Sequence, residues 1–155
     1  MPIDTRHRLI ARLAALSASA ILTLALACQE AEPAITLYKT PSCGCCSKWA
    51  DHMRDAGFEV DSVDVESLAA VELKHRLPRQ LASCHTAIVD GYVIEGHVPA
   101  VAIARLLETR PAVRGLVVPG MPPGSPGMEG PNAQPYTVYA FDDNGGLTYF
   151  STHGP

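Results

Sequence analysis

The chain has 155 residues, room for one compact domain with its own core but not for two. A formal net charge of -4 with no basic run gives no footing for a nucleic-acid partner. The 13 prolines and 12 glycines, concentrated in the later half, exclude a helical bundle and predict long irregular connections.

The N-terminal stretch is set apart from the fold. Arg6, Arg8 and Arg12 precede an apolar run over residues 13–27 that ends in Ala25-Leu26-Ala27, an A-x-A cleavage signal. Residues 1–27 therefore read as a secretory signal peptide, and the expected location is the bacterial periplasm. An uncleaved anchor is the competing reading, although the run falls short of the ~20 residues a membrane span needs. Cys28 follows the cleavage signal directly, where bacterial lipoproteins carry an acylated cysteine. The usual Leu three positions earlier is Ala25 here, with Leu24 one further back. Soluble export and lipid anchoring both stay open, and a membrane is a partner only if Cys28 is lipidated. Without residues 1–27 the chain keeps 9 basic and 15 acidic residues, a formal charge of -6. Residues 28–33 read as a short linker and residues 34–152 as the folded domain.

Residues 34–38, Ala-Ile-Thr-Leu-Tyr, predict a first strand that Pro41 must end. A helix is expected from Cys45 or Cys46 to Ala56, because Cys46, Trp49, Ala50 and Met53 fall on one apolar face and Gly57 stands where a helix stops. Residues 58–65 alternate and predict a second strand, parallel to the first because a helix crosses between them. A second helix is expected over residues 66–77, ended by Pro78. Residues 86–89 and 92–95, joined by Asp90-Gly91, predict a hairpin. Residues 99–108 predict another helix, with Pro99 in its first turn. The order is βαβ-α-ββ-α. Residues 117–135 then carry Pro-Gly-Met twice and can be neither helix nor regular strand; a loop of this length is functional or disordered. Residues 136–141 and 147–151 predict a last hairpin that extends or caps the sheet.

The chemistry lies in the thiols. Cys43 and Cys46 form a C-x-x-C pair where a strand gives way to a helix, whose unpaired N–H groups stabilise a thiolate. Strand, C-x-x-C, helix is the thioredoxin arrangement. In that fold the segment entering the next hairpin packs against the C-x-x-C and commonly carries a cis-Pro. Here it reads Ser83-Cys84-His85-Thr86, a fourth thiol without the proline. Four convergent thiols suit a soft metal, since Cys45 and Cys46 are too close in the chain for a relaxed mutual disulfide. Thiolates select Cu(I), Zn(II) or iron-sulfur clusters, and the thioethers of Met121 and Met128 tip the choice toward copper.

The runs Y-K-T-P-S-C-G-C-C-S-K-W, S-C-H-T-A-I-V-D-G-Y-V-I-E-G-H-V-P and G-L-V-V-P-G-M-P-P-G-S-P-G-M-E resemble the CopG-type family of periplasmic copper-resistance proteins. The resemblance spans nearly all of residues 34–152. It implies a thioredoxin-like fold and a cysteine-bridged multinuclear Cu(I) site formed by Cys43, Cys45, Cys46 and Cys84. It also implies a role in copper tolerance with Cu(I)/Cu(II) redox as an option, and other envelope copper-handling proteins as partners. Met121, Met128, His85 and His97 are candidate accessory ligands. His85 is expected on the side opposite Cys84 if the strand has begun, and His97 has a helix cap as its plainer role. Met53 reads as core and Lys48 as a solvated surface charge. Two rivals remain: a thiol-disulfide oxidoreductase with Cys43 as nucleophile and Cys46 as resolving thiol, and a structural zinc site. Whether the chain is an enzyme is left open.

Overall fold

The computed structural model describes residues 33–155. The expected signal peptide, Cys28 and residues 28–32 of the linker lie outside the described residues. Seven strands and three helices follow in chain order: β1 (Ile35–Lys39), α1 (Gly44–Asp55), β2 (Val60–Asp64), α2 (Ala69–Lys74), a single 3-10 turn (Arg79–Leu81), β3 (His85–Val89), β4 (Tyr92–Glu95), α3 (Ala100–Thr109), β5 (Gly115–Val117), β6 (Tyr136–Phe141) and β7 (Leu147–His153). They form one mixed sheet in the order β2-β1-β3-β4-β5-β6-β7.

The expected βαβ-α-ββ-α order is present, and β1 pairs parallel with β2. Asp90 and Gly91 both adopt positive φ, at 47° and 83°, which gives the β3–β4 hairpin the twist a two-residue connection needs. The helix α1 ends as its sequence demands. Gly57 takes φ +96, its N–H donates to Arg54 O, and Phe58 N–H donates to Met53 O. This is a Schellman stop, closed by the buried pair Met53 and Phe58.

Helix α2 and strand β5 differ most from expectation. Helix α2 covers Ala69–Lys74 rather than residues 66–77, because Ser67 Oγ accepts from Ala69 N at its start and Arg76 turns left-handed, φ 55°, at its end. Strand β5 is the second. Its three residues are too few to show a period, yet they pair parallel with β4 across α3 and antiparallel with β6. The last hairpin, β6–β7, therefore extends the sheet through β5 rather than joining β4 directly.

Period-two alternation sorts the strand side chains into two layers. Ile35, Leu37, Ala87, Val89, Ile94, Leu116, Val138 and Ala140 face α1 and α3, where Trp49, Met53, Ile103 and Leu106 complete the larger core. Val93, Val117 and Phe141 face the other way and are covered by Leu77 and Leu81. Helix α3 begins beside α1: His52 Nε2 of α1 accepts from Ala100 N at 3.2 Å, satisfying one of the unpaired donors at the α3 start.

Candidate metal centre

Helix α1 starts one or two residues earlier than its apolar pattern implies, at Gly44, because Cys43 is its N-cap. Cys43 Sγ accepts from Cys46 N at 3.3 Å. No acidic residue occupies the first turn, so the positive end of the helix is left to the sulfurs. Cys43 and Cys46 are joined by a disulfide, with their Cα atoms 5.4 Å apart. Cys45 and Cys84 are free thiols, both half-buried. Cys45 Sγ stands 3.5 Å from Cys43 Sγ, and Cys46 Sγ is 3.4 Å from Cys84 O. The sulfurs of Cys43, Cys45, Cys46 and Cys84 all lie within 4.8 Å of one another. Cys84 thus arrives beside the other three from the segment before β3. All described peptide bonds are trans, in keeping with the missing proline there.

Cys84 belongs to a second cluster as well. Its sulfur, a nitrogen of His85 and a nitrogen of His97 also lie within 4.8 Å of one another. Cys84 Sγ is 3.1 Å from His97 Nε2 and 3.4 Å from His85 Nδ1. The two histidines are fully buried, their rings 5.1 Å apart, and His85 packs on Trp49 at 4.6 Å. Two sequence expectations change here. His85 begins β3, yet it does not turn away from Cys84, because Cys84 precedes the strand and is not held to its alternation. His97 does not cap α3, whose N-cap is Pro99 with no side-chain cap bond.

The tautomer of His97 follows from its surroundings. Its Nδ1 faces Pro126 O at 2.7 Å, an acceptor only, so Nδ1 carries the proton and Nε2 offers its lone pair to Cys84 Sγ. His85 Nε2 is buried and has no partner. The clustered sulfurs, with the His97 Nε2 lone pair aimed at Cys84 Sγ and His85 Nδ1 3.4 Å from the same sulfur, form a donor set that fits a soft metal ion.

Without a metal, burial favours the neutral forms of Cys84, His85 and His97. Burial, then the nearby Cys45, push the Cys84 thiol up to about 11. Burial, then the His97 charge, lower His85 to about 3, and burial lowers His97 too. Glu95, which the sequence reading did not single out, is also fully buried, and burial raises its carboxyl to about 8. A buried acidic position on a short strand two residues before His97 was its only signal in the sequence.

The Pro-Gly-Met loop closes one side of the site. Ser125 N and Oγ both donate to Pro122 O, Met128 N donates to Ser125 O, and Gly124 N donates to Met128 O, so the loop is a self-bonded turn structure. It packs on α1 at Gly127, where an added Cβ would stand 2.5 Å from Cys45 O. Met121 is half exposed, which is not the setting of a buried ligand. Met128 is half-buried and follows Gly127 directly. Met53 is fully buried in the core, and Lys48 is exposed.

A family model described as a protein of unknown function, DUF411, matches residues 81–128. That stretch carries Cys84, His85, Glu95, His97 and the loop through Met128. Two solved structures are similar to the chain. One is titled "Copper resistance protein copG- Form 1", with 36% identity and a TM-score of 0.73. The other is titled "Copper resistance protein copG- Form 2", with 37% identity and a TM-score of 0.72. Each comparison covers 79% of this chain and 98% of that chain. No curated protein matches the chain.

Proposed function

The chain belongs to the CopG family of copper resistance proteins, and from that premise we propose that it is an exported Cu(I)-binding protein acting in copper resistance. The observation that carries the reading is the approach of Cys84, brought by the segment before β3 to within 4.8 Å of the three α1 sulfurs. We read the β2-β1-β3-β4 part of the sheet, with α1 crossing between β1 and β2, as a thioredoxin-like core whose C-x-x-C position has been turned to metal binding. In the dithiol state Cys43, Cys45, Cys46 and Cys84 offer four thiolates, and sulfurs this crowded serve best as bridges between more than one Cu(I). His97 and His85 supply nitrogen at the inner edge. The periplasm is the proposed location on the strength of residues 1–27, and copper-handling proteins of the envelope are the proposed partners.

A redox role is part of this proposal. Two Cu(II) ions can take one electron each from the Cys43 and Cys46 thiolates. This yields two Cu(I) and the Cys43–Cys46 disulfide, with both electrons accounted for. The second reading, a thiol-disulfide oxidoreductase, draws on the same bond. Its weak point is Cys45, which stands beside Cys43 Sγ and would divert a mixed disulfide.

Anaerobic titration with Cu(I) tests the proposal. The fully reduced protein is expected to bind more than one ion per chain, the disulfide form fewer, and Cys84→Ser fewer than wild type in the reduced state. Saturation at one ion regardless of Cys84 overturns the cluster. Reduction of insulin, abolished by Cys43→Ser and indifferent to copper chelation, would favour the oxidoreductase.

A further inference from the structure

Glu95 carries a carboxyl group with no exposed surface in a small domain, an expensive group to bury unless each oxygen is put to use. Both are. Oε1 accepts from Ser83 N at 2.6 Å and Oε2 accepts from Thr86 Oγ1 at 2.7 Å. The two contacts fall on the two ends of the Ser83-Cys84-His85-Thr86 segment. Strand pairing accounts for only part of that segment. Thr86 stands opposite Glu95 in the β3–β4 register, whereas Ser83 and Cys84 lie before β3 and have no ladder partner.

The neighbours of Glu95 in the chain continue the grip. Gly96 N donates to His85 O at 3.2 Å, and Gly96 takes φ +70. A Cβ on Gly96 would stand 3.1 Å from Ser83 Oγ and 2.9 Å from Val118 O, so the close approach requires glycine. His97 Nε2 then meets Cys84 Sγ at 3.1 Å. Three consecutive residues thus hold four consecutive residues, and the side chain of Glu95 alone spans both ends. By strand alternation Glu95 shares its face with Val93, on the side of the sheet away from α1 and α3. It approaches the segment from behind and leaves the sulfur free to face the site.

We propose that Glu95 is a positioning residue for the metal centre, a two-point clamp that sets Cys84 Sγ against His97 Nε2 and the α1 thiols. The proposal rests on the reading of Cys84 as a copper ligand for its consequence, but the clamp itself has a copper-free signature. A buried backbone N–H left without its acceptor is costly, and loss of the Glu95 oxygen frees the one part of the segment that no ladder holds.

The test compares wild type with Glu95→Ala, Glu95→Gln and Thr86→Val in two measurements. The first is the alkylation rate of Cys84 relative to Cys45 in the disulfide form without metal, read residue by residue by mass spectrometry. The second is Cu(I) affinity of the reduced protein by competition with a chromophoric chelator, together with the near-ultraviolet thiolate-to-copper band. Glu95→Ala is expected to raise Cys84 alkylation about tenfold and to weaken Cu(I) binding about tenfold with an altered band, the scale of one buried hydrogen bond. Glu95→Gln, which keeps an acceptor for Ser83 N, should restore both, and Thr86→Val should fall between. Wild-type alkylation in Glu95→Ala overturns the clamp, as does a Glu95→Gln that behaves like Glu95→Ala. If Glu95→Ala does not fold, Thr86→Val against Glu95→Gln decides by the same rates. A wild-type protein that takes no Cu(I) refutes the copper reading, while the alkylation rates still decide the clamp.

Discussion

Gly127→Ala should unseat the Pro-Gly-Met loop and weaken the site beneath it. Gly127 holds φ +86, where an L side chain costs about 1–2 kcal/mol. Its Cβ would also stand 2.5 Å from Cys45 O and 3.2 Å from Trp49 N, both backbone atoms of α1 that cannot step aside. Relief to ordinary contact moves the loop by about 1 Å, enough to break the bond from His97 Nδ1 to Pro126 O, itself worth about 0.5–1.5 kcal/mol. The left-handed strain and the overlap, the latter about 1–3 kcal/mol for an atom forced into packed surroundings, favour the lifted loop, and the lost bond opposes it; the net is about 2–3 kcal/mol, a factor of roughly 30–150 in its population. Limited proteolysis between residues 117 and 135 should quicken by that order. Cu(I) affinity should fall about 10- to 100-fold, the usual loss when a partner that orients a histidine ligand is removed. In wild type, copper should slow the cleavage, because a bound ion on His97 and Cys45 holds the surfaces the loop rests on. Equal cleavage rates for wild type and Gly127→Ala would falsify the reasoning, since both the left-handed strain and the collision at Cys45 O act on the seated loop alone.

The metal-free protein should be most stable between pH 4.5 and 6.5. His85 has its pKa lowered from 6.5 to about 3 by burial and then by the His97 charge. Its contribution is whole above pH 6.5 and is lost as pH falls toward 3, by about 1.4 kcal/mol per pH unit. Glu95 has its pKa raised from 4.5 to about 8 by burial, so its contribution is whole below pH 4.5 and is lost as pH rises toward 8. Denaturant titrations across this range should show both limbs, and Glu95→Gln should flatten the limb from 6.5 to 8. A wild-type stability that climbs through that upper interval would refute the assignment. Trp49→Phe should cost about 1–3 kcal/mol, because the buried indole donates to Val98 O at 2.8 Å and phenylalanine leaves that carbonyl without the bond. A thermal midpoint equal to wild type would show that the bond contributes nothing.

The local features of the chain were legible because each has a local cause. The β-rich run of residues 34–38 ended by Pro41, the face made by Cys46, Trp49, Ala50 and Met53, and the Asp90-Gly91 turn specify β1, α1 and the β3–β4 hairpin without reference to anything distant. Parallel pairing of β1 and β2 follows from the helix between them. The limits of α2 were misplaced because helical periodicity ignores a Ser67 turn and a left-handed Arg76. Strand β5 was invisible because three residues carry no period, and its pairing comes from β4 on one side and β6 on the other.

The site divides along the same line. Three thiols at a helix start and a fourth in place of an expected proline could be read from residue order alone, and so could the preference for a soft metal. The partners of Cys84 could not. Its sulfur meets His97 because Gly96 and Glu95 draw β4 against the segment before β3, across a gap of 13 residues in the chain. His97 in turn has its proton placed by Pro126, 29 residues further on. Such contacts depend on which strands pair, in what register, and on where a long loop comes to rest. Periodicity tells which face of an element is buried, but it carries no information about which atoms meet it there.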